Sequence, residues 1–513
     1  MQPIDPSEKT AENTSPGKTD FFGQSGAKAP LFHTRRLFLF AAGLAAGFLL
    51  GDGFLFTYVL LAAGVLLLAA FGAKAAKRAA WFVLLLGMAA GFLRIGLAQP
   101  VDVPTGYGVV TGIICESPEL TDWGTYRVNL KDTALDGQPV PGRLKFYAAF
   151  SQPPVYGQTV SAYANVEESD AEYRSNDRYR GIFSVAFANG TITADGTPKR
   201  DLYGRLLELR EIVAERIEAL FPAEAGAAKG MLLGDKSDLD EETLSAFRDT
   251  GTAHLLAVSG LHVSVLAGAF ALLFRRNAWV RLFAVAGFLL LYAALTAFSP
   301  SVVRAGAMIL FVLLAFALDR RLDPVSSLSA AFILILLINP YALWYAGFQL
   351  SFCAVYGLIL LSPILQKPLA RLGSAASGLI SASAAVVVAT FPASVLFFGK
   401  AQLLSLVTNL FVLPIAPAFL VPAFFGTALS FLWFPLGSAV CAVARFSLDV
   451  ILAVASFGGS MSVSVKAPGT AAYALYLLTI LFASRLCLRG KWQRARYAVL
   501  SAALTAVVWV AGG

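Results

Sequence analysis

Apolar runs near the ~20 residues that cross a bilayer recur through most of this 513-residue chain. The first three cover 37–51, 54–71 and 80–98. After a polar interval, further runs begin near Ala257, Val280, Val303, Val325, Gly347, Ala376, Leu403, Gly437, Ala471 and Ala495. The pattern predicts a polytopic α-helical membrane protein with about thirteen spans. The stretch 402–434 is too long for one simple span, and Pro414, Pro417 and Pro422 predict that it is broken or re-entrant.

Inside the polar interval the pattern changes. The runs 107–115, 125–130, 142–150, 158–167 and 181–193 are rich in Val, Ile, Thr, Tyr and Phe. Turn signals such as ESPE, LDGQPVPG and SQPP separate them. Five short strands in about 90 residues predict one small β-barrel, OB-like in type. The SNDRYRG stretch before the last strand reads as a loop or a short helix packed on that barrel. Downstream, apolar residues at 202, 206, 209, 213, 217 and 220 alternate with Arg205, Glu208, Glu211, Glu215 and Glu218. That is an amphipathic helix lying along the membrane surface or against the bundle. The expected organisation is therefore a disordered tail (1–36), N-terminal transmembrane helices (37–98), the barrel (100–200), an amphipathic helix with connector (201–250) and a membrane domain (251–513).

Composition agrees with the pattern: 57% hydrophobic residues, 14% charged and a mean hydropathy of +0.68. Soluble domains carry about 25% charged residues, so a soluble class is excluded. Charge orients the bundle. One set of alternate loops holds Lys74, Lys77 and Arg78; Arg275, Arg276 and Arg281; Arg320 and Arg321; Lys367 and Arg371; and Arg485, Arg489, Lys491, Arg494 and Arg496. The other set holds only Lys400 and Lys466. The positive-inside rule then places the N-terminus in the cytoplasm, and the barrel and C-terminus outside. The net charge of +8 follows largely from those loops and requires no nucleic-acid partner. No cleavable signal precedes the first apolar run. Cys115 is the lone cysteine of the external interval, and no CxxC or Cys/His cluster points to a metal.

The candidate chemistry is sparse. HLLAVSGLH (254–262) places His254 and His262 around a Ser259-Gly260 break where a span begins. Such groups are costly in a bilayer unless they face protein or water, so they mark either a pathway or a structural kink. Arg304, in FSPSVVRAG with Ser299, Pro300 and Ser301, lies about two turns into a span; it either meets an anion or snorkels outward. Gln349 and Ser351 in GFQLSF, and Asn409, complete the polar set. Arg445 and Asp449 stand four apart and are placed to pair on one helix face. On the barrel, Tyr126, Arg127, Lys145, Phe146 and Tyr147 suggest a face for single-stranded nucleic acid. The interval 101–200 nevertheless holds twelve acidic and nine basic residues, a poor match for a polyanion. No Walker sequence, nucleophile elbow or His-rich motif is present, so no enzyme and no cofactor are expected.

Several blocks together resemble the ComEC-type competence family, the inner-membrane channels that take up transforming DNA. They are GMLLGD (230–235), FRDTGTAHLLAVSGLHV (247–263), FSPSVVRA (298–305), the Asn339-Pro340 pair, GFQLSFCAVYG (347–357) and TNLFVLP (408–414), in the family's order. The resemblance implies a channel for single-stranded DNA in the bacterial cytoplasmic membrane, with His254, Ser259, His262, Gln349, Ser351 and Asn409 along the path and Arg304 at its entrance. Longer members continue into a metallo-β-lactamase-like domain. This chain ends at Gly513 without an HxHxDH motif. Either the nuclease is then a separate protein or the role has changed; the family role implies a separate nuclease, a DNA receptor and a cytoplasmic ATPase or helicase. A transporter of another solute and a non-conducting assembly platform are the alternative readings.

Overall fold

The structure, a computed structural model, describes residues 36–51, 76–98, 103–121, 123–170, 173–199, 201–320, 323–402, 404–457, 462–484 and 490–511. The expected tail up to residue 35 and the expected span 54–71 lie outside these residues.

Five long strands form the described part of the polar interval: β1 (Gly106–Ile114), β2 (Tyr126–Leu135), β3 (Arg143–Phe150), β4 (Thr159–Glu168) and β5 (Ile182–Ile192), with three two-residue strands paired alongside them. Most of these strands alternate buried and outward positions, the period-2 signature of a sheet with one buried face, while in β2 Val128, Asn129 and Leu130 are buried in succession. Val110, Val128, Leu130, Leu144, Phe146 and Val160 fill the interior. The pairing order is β1-β2-β3-β5-β4, and β4 pairs back to β1, so the barrel closes and no long edge is left open. Among the described strands only β3 and β5 pair in parallel. Strand β2 runs past the expected end at Leu130. Asp132, at φ 53°, sits where the β1–β2 register shifts, and the bulge lets the strand continue to Leu135. The turn falls instead at Asp136 and Gly137, both left-handed (φ 50° and 81°), as a two-residue hairpin turn requires. SNDRYRG contributes a short helix, α3 (Arg174–Tyr179).

Among the described residues two helices precede the barrel, α1 (Arg36–Gly51) and α2 (Ala76–Gly96). They run side by side in the same direction. A Cβ added at Gly47 would sit 2.0 Å from the Met88 carbonyl oxygen, and one at Gly91 would sit 2.3 Å from that of Leu44. GLAAG (43–47) and GMAAG (87–91) thus form facing small-xxx-small surfaces that allow backbone contact.

After the barrel come α4 (Leu202–Leu220), α5 (Ala225–Leu233) and α6 (Glu241–Asp249). Asp201 caps α4 by accepting from the Gly204 amide at 2.8 Å, which holds its carboxyl below the usual range. The C-terminal half of the α4 stripe is used as expected, with Ile217 and Leu220 buried against the bundle. Leu202 and Leu209 are exposed, and Leu207 is buried in their place.

The bundle follows: α7 (Gly260–Ala271), α8 (Ala278–Leu295), α9 (Pro300–Ala317), α10 (Pro324–Ile338), α11 (Ala346–Leu360), α12 (Ser374–Phe398), α13 (Ser405–Ser430), α14 (Phe434–Phe457), α15 (Thr470–Ala483) and α16 (Lys491–Ala511). Each expected span outside 54–71 coincides with a helix. Among the described residues six helices are long and apolar enough to cross a membrane: α8, α9, α11 with its extension to Leu365, α12, α13 and α14. Proline opens α9 and α10 at the first helical position, where its missing N–H costs nothing. The break expected near Pro414 is not found. α13 is one 26-residue helix, about 39 Å at 1.5 Å per residue. Val412, Ala416, Phe419, Leu420 and Ala423 are buried along it, and this packing outweighs the hydrogen bonds that its three prolines remove.

The barrel docks where α10 hands over to α11. A 3-10 turn (Pro340–Trp344) carries Tyr341, whose ring meets Phe183 at 5.9 Å and whose hydroxyl donates to the Ala98 carbonyl. Asn339 Nδ2 donates to the Tyr179 carbonyl at 2.8 Å.

Candidate functional site

HLLAVSGLH is a 3-10 turn (Ala253–Leu255) followed by the start of α7. Ser259 is the N-cap. His262, three residues on, accepts from the Ser259 amide through Nδ1 at 2.8 Å, with the Ser259 hydroxyl 3.0 Å from the same nitrogen. This is a capping box in which an imidazole stands where Glu or Gln is usual. Because Nδ1 accepts, the neutral ring carries its proton on Nε2. That nitrogen is buried without a partner. His254 is exposed, with Nδ1 3.2 Å from the Gly251 carbonyl oxygen. The structural reading therefore accounts for Ser259 and for one face of His262, and leaves the Nε2 proton unexplained.

A second polar group forms beside it. A Cβ built on Gly260 would lie 3.8 Å from Ala305, so α7 starts against the helix that carries Arg304. The turn before α9 places Ala297 and Phe298 in the left-handed region (φ 50° and 54°). Two consecutive non-glycine residues there cost about 1–3 kcal/mol each and must be held by their surroundings. The turn sets Ser299, Pro300 and Ser301 at the head of α9. Arg304 is only 2% exposed. Its Nη2 donates to the Ser301 hydroxyl at 3.0 Å and to the Gly347 carbonyl at 2.7 Å. Nε and Nη1 have no partner, and no carboxylate pairs with it among the described residues. Snorkelling to the outer surface is thereby replaced by burial. Two residues along α11, Gln349 Nε2 donates to the Leu343 carbonyl at 2.8 Å, while its Oε1 is buried and unpartnered. Tyr345 and Tyr179 stack over this region with ring centroids 4.3 Å apart.

The remaining candidates lie elsewhere. Asn409 is 9% exposed with Oδ1 unpartnered; its neighbour Thr408 donates to the Thr250 carbonyl at 2.9 Å, tying α13 to the start of the HLLAVSGLH segment. Ser351 is half-buried. Among the described residues no hydrogen bond joins either of them to the Arg304 group. Arg445 donates to the Leu220 carbonyl at 2.8 Å and to that of Ser438, so the expected pair with Asp449 does not form. Among the described residues no three His, Cys, Asp or Glu side chains gather as metal ligands would.

On the barrel, alternation divides the five expected face residues. Phe146 points inward and is fully buried, so it leaves the face. Tyr126 packs edge-on against Phe150 at the core margin. Arg127, Lys145 and Tyr147 point outward, but each cation is matched. Arg127 pairs with Glu119, Lys145 lies 2.6 Å from the Asp177 carboxylate, and neighbouring Arg143 lies 2.5 Å from Glu116. The aromatics that join Tyr147 on the outside are residues outside the expected set. Tyr107 stacks on Tyr163 at 6.4 Å and Tyr147 on Phe187 at 5.2 Å, while strand register sets Tyr107 opposite Asn165 and Asn165 opposite Phe187. One outward row thus runs Tyr163, Tyr107, Asn165, Phe187, Tyr147 and Arg127. An aromatic at an outward position of an alternating strand was the sequence signal for it. Cys115 is buried in the barrel, which pushes its thiol up to about 11 and leaves it unreactive.

An apolar helical bundle with a small β-barrel docked at one end defines the class: a polytopic membrane protein. Residues 231–513, more than half of the chain, match the Competence protein family, and the chain belongs to that family. It is 33% identical over 217 residues to ComE operon protein 3 of Bacillus subtilis, covering 41% of this chain and 27% of that protein. It is 29% identical over 201 residues to Recombination protein 2 of Haemophilus influenzae, covering 36% and 24%. Competence protein ComA of Neisseria gonorrhoeae is 33% identical over 147 residues, covering 26% and 21%. The matched stretches span about a quarter of these relatives' lengths. No solved structure matches the chain.

Proposed function

We propose that this chain is a conduit for single-stranded DNA through the bacterial cytoplasmic membrane, with the N-terminus inside and the barrel outside. The observation that carries the reading is Arg304. Burying an ion costs several kcal/mol unless partners compensate, and here the partners are a hydroxyl and one carbonyl. Two unsatisfied donors on a fixed cation suit a transient phosphate, because a polyanion in transit needs weak, repeated contacts. His262 Nε2 and Gln349 add uncharged groups near the same helix ends. The Tyr179–Tyr345 stack covers this region, so passage requires the barrel helix α3 to move. The closed 1-2-3-5-4 strand order supports an OB-like barrel. The chain performs no chemistry in this reading; a DNA receptor, a driving ATPase or helicase and a nuclease act as separate partners.

DNA uptake per molecule of protein tests it. Arg304→Gln should cut uptake at least tenfold at unchanged abundance, and Arg304→Lys should restore part of it, since charge is kept but the planar fork is lost. Wild-type uptake by Arg304→Gln would remove the residue from the path. The paired cations of the barrel favour one second reading, a platform that docks a protein and conducts nothing; there, neither variant changes uptake.

A further inference from the structure

The SNDRYRG stretch that becomes α3 reaches past the barrel and lies over the Arg304 site. Its seat is narrow. The Tyr179 ring lies parallel to that of Tyr345, with centroids 4.3 Å apart and planes 13° apart. Beneath it the Tyr345 ring presses on Gly347, where a Cβ would sit 2.7 Å from the ring and push it away. The Gly347 carbonyl in turn accepts from Arg304 Nη2. Tyr179, Tyr345, Gly347 and Arg304 therefore form successive layers from barrel to bundle. The two tyrosines are half-buried, whereas Arg304 is 2% exposed. A polar bond also holds this cover down, from Asn339 Nδ2 to the Tyr179 carbonyl at 2.8 Å. Asn339 Oδ1 meanwhile accepts from the Tyr341 amide at 3.1 Å and caps the 3-10 turn.

We propose that α3 is a gate: Tyr179 closes the Arg304 site in this conformation, and its withdrawal from Tyr345 and Asn339 opens the site to phosphate. A static cover satisfies the polar groups that it buries. This one leaves Arg304 Nε and Nη1 unpartnered, so closure takes water from the cation without supplying acceptors. What holds the gate shut is an aromatic contact and a neutral hydrogen bond, each weaker than a charge-assisted bond from guanidinium to phosphate. An arriving phosphodiester shifts the balance towards the open state, because only that state binds it. The Asp177 carboxylate ties α3 to the barrel, through Lys145 at 2.6 Å and the Ser169 hydroxyl at 2.5 Å, so the plug follows the barrel when it moves. For what passes the gate, this inference rests on the conduit reading.

The test is phenylglyoxal modification of the full-length protein in detergent, with each arginine followed by peptide mass spectrometry. In wild type and in Tyr179→Phe, which keeps the ring, Arg304 should stay protected. Tyr179→Ala should speed its modification at least tenfold. Asn339→Asp keeps an acceptor for the Tyr341 amide and loses only the donor to Tyr179, and should speed it at least threefold. Exposed Arg371 should react alike in all four proteins, and half-buried Arg445, bonded to the Leu220 carbonyl, should stay slow. Protection of Arg304 in both Tyr179→Ala and Asn339→Asp overturns the gate, and so does exposure of Arg304 only together with Arg445. DNA uptake judges the conduit reading separately. Tyr179→Cys with Tyr345→Cys, tied by a short bismaleimide, should take up DNA at least tenfold less than either single variant under the same treatment. Undiminished uptake by the tied protein, with Arg304 modification responding as expected, overturns the conduit at this site and leaves the closure of Arg304 by α3 standing.

Discussion

The barrel and the bundle treat buried charge in opposite ways. On the barrel, Lys145, Arg127 and Arg143 each meet a carboxylate, and Asp177, 1% exposed, also accepts from the Ser169 hydroxyl. In the bundle, Arg304 is as deeply buried and meets none. Orphaned polar atoms occur in both: Asn129 Oδ1 and Ser184 Oγ in the barrel, and His262 Nε2, Arg281 Nε, Arg304 Nε and Nη1, Gln349 Oε1, Ser383 Oγ, Asn409 Oδ1 and Arg494 Nε in the bundle. The difference is that the barrel's orphans are neutral. Stability alone does not explain an ion kept without a counterion in the drier of the two environments. The barrel is wired as a self-consistent folded unit, and the bundle keeps Arg304, the most deeply buried of its described cations, without a counterion.

The largest effect that would test the contrast is on the barrel side. Asp177→Asn leaves Lys145 half-enclosed without its counterion, and should destabilise the barrel by about 3–5 kcal/mol. Chemical denaturation followed by the barrel's near-ultraviolet signal measures it. A loss under about 1 kcal/mol would mean that Lys145 simply swings into water and that the pairing is ornamental.

Arg304→Leu inverts the experiment. It removes a cation that nothing neutralises, so thermal stability in detergent should stay within about 1 kcal/mol of wild type or rise. Uptake should fall as for Arg304→Gln. A large loss of stability would show that the guanidinium's bonds to Ser301 and Gly347 hold α9 to α11, and the two regions would then obey the same rule.

The sequence made one side of this contrast easier to read than the other. Strand-forming runs between turn signals place all five strands within a few residues, and inward and outward positions alternate cleanly around Leu144 and Val160. That pattern does not yield the strand order, since the parallel β3–β5 pair depends on a crossing that no local pattern encodes. Phe146 reads as part of an outer face because its neighbours are basic and aromatic, whereas counting outward positions from Lys145 in steps of two puts it inside. In the bundle, the three prolines of α13 predicted a break that its packing overrides. Acid partners for the barrel cations come from distant strands and from α3, so composition showed only an acidic balance. The unpaired state of Arg304 was suggested by the lack of acids in its span, but its burial under Tyr179 and Tyr345 follows from a docking that joins residues far apart in the chain.

The smallest effect concerns the outward aromatic row. Tyr107 and Tyr163 are 66% and 61% exposed. As a packing pair they are worth about 0.5 kcal/mol, the low end for aromatic contacts, so Tyr163→Ala should barely move barrel stability. A stacking platform behaves differently. Each base stacked on an aromatic contributes about 1–3 kcal/mol, so the same substitution should weaken oligothymidylate binding by the full-length protein at least fivefold. Because the neighbouring cations already hold carboxylates, few counterions are released, and affinity should fall only gently as salt rises. Binding titrations of wild type and Tyr163→Ala at two salt concentrations separate the terms. A steep salt dependence that persists in Tyr163→Ala would mean that Arg127, Arg143 and Lys145 exchange Glu119, Glu116 and Asp177 for phosphates. The barrel would then hold its charge available as the bundle does, and the contrast between the two regions would fail.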